Sequence, residues 1–191
     1  MLINQENKKL VPILLEFLNQ NGVVILKCDT IYGIIGIADV TETRISKIKN
    51  RNPEKPFIKL IGDISWLKRF TNQNLPDELK SIWPGPLTVI FKTKEDGKIG
   101  LRVPDDPLLQ EILDKLDKPL VSTSVNLEGQ KPLNLIIEII KQFEQKVDLI
   151  VKSGDLKEQN PSTIIDVTTS PYKIIRKGIL QIPQDILKKW F

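Results

Sequence analysis

The chain has 191 residues, 40% hydrophobic and 27% charged, with 28 Lys and Arg against 24 Asp and Glu for a formal charge of +4. That length and hydrophobic content suffice for a packed core, and neither hydrophobicity nor charge fits a disordered chain. There is no histidine and a single cysteine, Cys28. This excludes a disulfide framework, a Cys-rich zinc site, a Ser-His or Cys-His catalytic pair and any His-ligated metal. Any chemistry must use carboxylates, Lys, Arg, hydroxyls, backbone amides or a metal carried in by a substrate.

The mild basicity suits an anionic ligand without demanding nucleic acid. No apolar run approaches the roughly 18 residues of a membrane span, and the opening residues lack the unbroken apolar stretch of a signal peptide, so a cytoplasmic location is expected. No repeat, low-complexity tract or Gly/Ser-rich linker interrupts the sequence, and one domain over 1–191 is the simplest organisation. Lysine is abundant, whereas arginine occurs only at positions 44, 51, 69, 102 and 176. The arginines are therefore the more informative cations.

Leu10, Ile13, Leu14, Phe17 and Leu18 follow the i, i+3, i+4, i+7, i+8 stripe of an amphipathic opening helix, with Gly22 as its stop. Residues 23–26 read as a buried strand running into a turn-like segment over 27–36. Thr41 can cap a helix reaching about Asn50. A second strand is expected over 57–61, with short helical pieces at 67–70 and 77–82. Strands at 87–91 and 99–103 are joined by the hairpin-like Glu95-Asp96-Gly97. Asp106 and Pro107 form a helix start, acid at the N-cap and Pro at N1. A short strand at 120–123, a helix over 133–143, strands at 149–151, 163–167 and 173–176, and a helix over 183–190 complete the chain. The alternation predicts an α/β fold, and the 87–103 hairpin makes the sheet mixed parallel/antiparallel, with flanking helices.

Five segments carry polar residues in patterns that packing alone does not require. Lys27-Cys28-Asp29-Thr30-Ile31-Tyr32-Gly33 follows a strand, where open α/β sheets place ligand contacts; an Asx-type turn at Asp29 accounts for it equally. Lys49-Asn50-Arg51-Asn52-Pro53-Glu54-Lys55-Pro56 leaves a helix C-terminus with three cations and two stiffening prolines. It suits either a polyanion such as triphosphate or helix-dipole compensation. Trp83-Pro84-Gly85-Pro86-Leu87-Thr88 is a turn into a strand. Arg102 lies between Leu101 and Val103 and should point to the opposite face from them. Ser122-Thr123-Ser124-Val125-Asn126-Leu127-Glu128-Gly129 closes another strand with hydroxyls and an amide, fit for an ST-turn or for orienting a carboxylate or ribose. Ser162-Thr163 and Arg176-Lys177-Gly178 echo the pattern. No standard phosphate or nucleophile-elbow motif is present. The residues alone support an anion-binding α/β domain and name no reaction.

In this order, the segments resemble the YrdC-like threonylcarbamoyl-AMP synthase family from about Gly22 to Gly178. Asp29-Thr30-Ile31-Tyr32-Gly33 is similar to the family's P-T-[DE]-T-x-Y-G, and Lys49-x-Arg51 with Lys55-Pro56 to its K-x-R-P segment and following N/K-P. Trp83 to Thr88 resembles W-P-G-P-x-T, Leu101 to Pro104 resembles V-x-R-x-P, and Ser124-Val125-Asn126 with Gly129 resembles S-A-N-x-S-G. Ser162-Thr163-Ile164-Ile165-Asp166 resembles S-T-V-V-D. The chain departs from the pattern at Lys27-Cys28, at Thr123, and at Leu60, where some relatives have histidine.

The resemblance implies an open, twisted α/β sheet in a single-domain form. It implies a nucleotidyltransferase that joins L-threonine, bicarbonate and ATP into threonylcarbamoyl-AMP and pyrophosphate. A separate transferase then moves the group to adenosine 37 of tRNA. Carried over by motif position, Thr30, Arg102, Ser124 and Ser162 would contact threonine. Arg51, Lys55, Asn126, Asn134 and Arg176 would contact ATP, and Lys49 and Arg51 would neutralise the reacting phosphates. Mg2+ would arrive on the triphosphate, with no metal ligand from the protein. Two rival readings fit the same segments: a double-stranded RNA or tRNA-binding module without catalysis, and a carbamoyl-adenylate enzyme with another acceptor. Weak RNA contact and the absence of a membrane partner complete the expectations.

Overall fold

The computed structural model describes residues 1–183 and Ile186, so the helix expected over 183–190 falls almost wholly outside the described residues. Its strands are β1 (Leu2–Asn4), β2 (Val24–Lys27), β3 (Tyr32–Ile37), β4 (Ile58–Leu60), β5 (Leu87–Lys92), β6 (Lys98–Arg102), β7 (Leu120–Ser124), β8 (Leu149–Lys152), β9 (Thr163–Asp166) and β10 (Lys173–Arg176). They form one sheet in the order β1-β8-β2-β3-β7-β4-β6-β5-β9-β10. The pairs β1·β8, β2·β8, β4·β6 and β5·β9 are parallel, and the remaining neighbours are antiparallel. The sheet is mixed, as the hairpin at 87–103 predicts.

The period-two alternation of strand side chains sorts the core into layers. Val24, Leu26, Ile35 and Ile37 face helices α1 (Leu10–Asn19) and α5 (Pro107–Leu116). Val23, Ile25, Ile34 and Val121 face α2 (Glu42–Lys49) and α6 (Ile136–Phe143) through Ile45, Ile48, Ile139 and Phe143. In the other half, Leu87, Val89, Phe91, Leu101 and Ile165 pack on Leu67, Leu75 and Leu79, from the short α3 (Leu67–Phe70), α4 (Asp77–Lys80) and their link. Arg102 therefore projects from the face opposite Leu101 and Val103, as alternation requires. At α5, Asp106 caps through its carboxylate, which accepts from Leu109 N at 3.0 Å, with Pro107 in the first turn.

Four local expectations need correction. The segment 27–36 is not only a turn: β3 begins at Tyr32 and pairs with both β2 and β7. Its glycines are close-approach positions: a Cβ on Gly33 would lie 2.8 Å from Cys28 Sγ, and one on Gly36 2.3 Å from Thr41 Oγ1. Thr41 does not cap α2, because its hydroxyl donates to Ile37 O at 2.9 Å, back onto the strand. The opening helix ends before Gly22: Asn21 takes the left-handed conformation (φ 59) and Gly22 N donates to Phe17 O. The helix expected from 133 starts at Ile136. Leu133 N is bonded to Val125 O and Asn134 O accepts from Leu156 N, so that backbone is committed to neighbouring loops. The edge strand β1 is an addition, made by its parallel register with β8.

Candidate active site

A cavity of about 310 Å³ opens over the centre of the sheet, where the ends of β2, β6 and β7 meet the loop entering β9. Thr30, Arg51, Arg102, Ser124, Asn126, Ser162 and Arg176 all line it. Seven expected site residues from six separate segments thus converge on one space. Lys49, Lys55 and Asn134 do not line it.

Arg102 forms one wall. Its Nε donates to Gly85 O at 3.0 Å, its Nη2 to Asp29 Oδ2 at 2.5 Å, and its Nη1 approaches Thr30 Oγ1 at 3.5 Å. The side chains of Arg102 and Asp29 are 8% and 10% exposed, a buried ion pair held from both sides. Asp29 Oδ2 also accepts from Asp105 N at 3.2 Å, whereas Oδ1 is buried without a partner among the described residues. Cys28 beside it has its thiol pushed up to about 12 by burial and by the Asp29 and Asp106 carboxylates. It is therefore a neutral wall residue, not a nucleophile.

Ser162 and Arg176 stand beside Arg102. Arg176 Nε and Nη2 donate to Ser162 O at 3.0 and 2.9 Å, and Nη2 reaches Ser162 Oγ at 3.1 Å. Ser162 Oγ also lies 3.0 Å from the fully buried Thr88 hydroxyl. Either hydroxyl of this pair can be the donor. With Thr88 as the donor, Ser162 accepts from two sides and keeps its own proton for a ligand oxygen. Burial and the neighbouring Arg102 charge push the Arg176 guanidinium below its ordinary value.

Arg51 is placed by the left-handed Asn50 (φ 51) that ends α2. Its Nη2 donates to Pro56 O at 2.9 Å, and its guanidinium carbon stacks 4.7 Å from the centre of the Phe57 ring. Its Nε is buried without a partner among the described residues. Burial lowers the Arg51 value while Glu128 opposes that shift. Three guanidiniums against the Asp29 carboxylate make the cavity cationic, and Arg provides the planar forks that carboxylates and phosphates accept bidentately.

The remaining cations do other work. Lys55 pairs with Glu128, whose second oxygen accepts from Asn52 N at 3.0 Å, tying the 51–56 loop to the loop after β7. Lys49 is buried behind the cavity wall with its ammonium on Ser124 O and Asn126. Burial and Arg51 push it down to about 8. Asn134 keeps a buried Oδ1 without a partner among the described residues. Sequence reasoning passed over Phe57, Ile58, Leu109 and Ile164, which supply the apolar lining. They look like ordinary core residues, and only the cation–ring contact sets Phe57 apart.

Among the described residues no three His, Cys, Asp or Glu side chains converge to hold a metal. No helix there is long and apolar enough to cross a membrane.

Residues 16–178 match the Sua5/YciO/YrdC family, whose description is "Telomere recombination". The chain belongs to this family. It is 34% identical over 197 residues to a Methanocaldococcus jannaschii protein named as a threonylcarbamoyl-AMP synthase, covering 94% of this chain and 91% of that one. It is 27% identical to the Bos taurus threonylcarbamoyl-AMP synthase, covering 84% of this chain and 65% of that one. Among solved structures, E. coli YciO superposes with a TM-score of 0.80 at 27% identity, over 95% of each chain. P. abyssi Sua5, crystallised with L-threonine, shares the fold with a TM-score of 0.82 at 22% identity. That match covers 93% of this chain and 57% of that one, so this member of the family spans little more than half of the Sua5 chain.

Proposed function

We propose that the chain is a threonylcarbamoyl-AMP synthase, acting in the cytoplasm on L-threonine, bicarbonate and ATP with magnesium. The observation that carries this reading is the pairing of two anion sites across one cavity. Arg102, Arg176 and the Ser162 hydroxyl meet at one wall, and Arg51 stands at the other on its Phe57 support. An amino-acid carboxylate suits the first, with Thr30 alongside it, and a nucleotide phosphate suits the second, near Asn126. The names of the M. jannaschii and bovine relatives support the same choice.

The threonine amine forms a carbamate, either by adding to CO2 with release of its proton or by adding to bicarbonate with loss of water. A carbamate oxygen bonds to the α-phosphorus of ATP as the bond from that phosphorus to the bridging oxygen breaks, and pyrophosphate leaves with its magnesium. Such a step needs two anions brought into line and their charge neutralised more than it needs a side-chain base. A chain without histidine can supply that. Magnesium belongs here to the nucleotide substrate, since the donors of the cavity are guanidiniums and hydroxyls. The labile product would pass to a tRNA threonylcarbamoyl transferase.

The test is pyrophosphate release from MgATP with threonine and bicarbonate omitted in turn. Release requiring both is expected. Release without threonine would indicate a carbamoyl-adenylate enzyme with another acceptor. RNA binding without any release would indicate a tRNA or double-stranded RNA module.

A further inference from the structure

Lys49, the last residue of α2, is 2% exposed. Its ammonium donates to Ser124 O at 2.5 Å, Asn126 O at 2.7 Å and Asn126 Oδ1 at 3.0 Å. An ammonium carries three protons and all three are used here. Glu128 N donates back to Lys49 O at 2.8 Å, so helix end and loop hold each other in both directions.

Asn126 is thereby oriented without ambiguity. Its Nδ2 donates to Leu127 O at 2.9 Å and Gln130 O at 2.7 Å, while its Oδ1 receives Lys49 and, at 2.5 Å, the hydroxyl of Ser124. Asn126 Oδ1 cannot donate, so the single hydroxyl proton of Ser124 is spent on it. Only the lone pairs of Ser124 Oγ are left for the cavity that the residue lines.

We propose that Lys49 is a positioning residue that never touches substrate. Its ammonium locks Asn126, and through Asn126 makes Ser124 a hydrogen-bond acceptor that selects a ligand hydroxyl or amine and repels a carboxylate or phosphate oxygen. With Thr88 as the donor to Ser162, Ser162 has the opposite polarity, and the two serines would fix the ligands' orientation in the cavity. The inference rests on the synthase reading for the identity of the ligands. Both supply suitable donors: the ribose hydroxyls and adenine amine of ATP, and the amine and hydroxyl of threonine.

Binding of ATP and of L-threonine is measured separately by calorimetry for the wild type, Lys49→Met, Ser124→Ala and the double variant. Lys49→Met and Ser124→Ala should weaken the same ligand, each by about tenfold. The double variant should be no weaker than the weaker single, because one residue acts through the other. The ligand affected identifies the donor. Unchanged affinities in folded Lys49→Met, losses on different ligands, or factors that multiply would overturn the proposal. Wild-type protein that binds neither ligand would count against the synthase reading instead. Reductive methylation of the ligand-free wild type, read by mass spectrometry, tests Lys49 in every case, including a variant that does not fold. Lys49 should stay unmodified while exposed lysines are methylated, and rapid methylation of Lys49 would overturn its placement behind the wall.

Discussion

Arg102 Nη2 and Asp29 Oδ2 lie 2.5 Å apart at the cavity wall, joining β6 to the loop after β2. Breaking a buried pair by removing one partner leaves an uncompensated charge and destabilises by about 3–5 kcal/mol. Asp29→Ala should therefore lower the denaturation midpoint strongly and also weaken threonine binding, since Arg102 loses its anchor. Asp29→Asn, which keeps an acceptor, should lose less of both. Chemical denaturation beside a threonine titration separates the two effects. Wild-type stability in Asp29→Ala would show that the pair is not maintained in solution.

Arg51 presents its guanidinium from the Phe57 face, with Nε unpartnered among the described residues. If it stabilises developing charge on the phosphates, Arg51→Ala should slow pyrophosphate release by about 2–4 kcal/mol in barrier, roughly thirtyfold to a thousandfold. Arg51→Lys should recover little, because an ammonium cannot reproduce the planar fork. Steady-state pyrophosphate assays decide this, and near-normal turnover in Arg51→Ala would remove it from the reacting centre.

Ser162 is expected to donate to the amino acid. Ser162→Ala should raise the threonine KM by about tenfold, the worth of one hydrogen bond to a charged group, and leave the ATP KM nearly unchanged. An effect confined to ATP would exchange the proposed roles of the two walls.

The Cys28 thiol, ordinarily ionising at 9.0, is pushed up to about 12 in the folded protein by burial first and then by Asp29 and Asp106. Between those values the folded chain binds more protons than the unfolded one, so stability falls as pH rises through that window. Cys28→Ala should flatten this alkaline decline. Native wild-type protein should react with thiol reagents at pH 8 only as fast as it opens. Immediate labelling would contradict the burial of Cys28.

Much of the architecture follows from local pattern. The Leu10–Leu18 stripe, the Asp106-Pro107 helix start and the 87–103 hairpin need only near neighbours, and each forms as periodicity and turn chemistry require. Alternation alone also placed Arg102 opposite Leu101 and Val103. The polar strand ends were legible for a similar reason: Thr30, Ser124 and Ser162 each lie at or just beyond the end of an apolar strand, in segments richer in polar residues than packing requires.

Tertiary structure decided what depends on distant partners. β1 exists because Leu2, Ile3 and Asn4 meet Ile150, Val151 and Lys152, a pairing that three residues cannot announce. β3 is a strand despite Gly33 and Gly36, because Cys28 and Thr41 occupy the space that side chains there would fill. Lys49 and Arg51 stand two residues apart in one basic segment, yet only Arg51 lines the cavity. Lys49 is the last residue of α2, and the left-handed Asn50 turns the chain before Arg51, which lies beyond the helix. Sequence by itself therefore determined the helices, the strand ends and the cationic character of the site. Which cation reaches the cavity and which builds the wall behind it was set by the packing of α2 against the loop after β7.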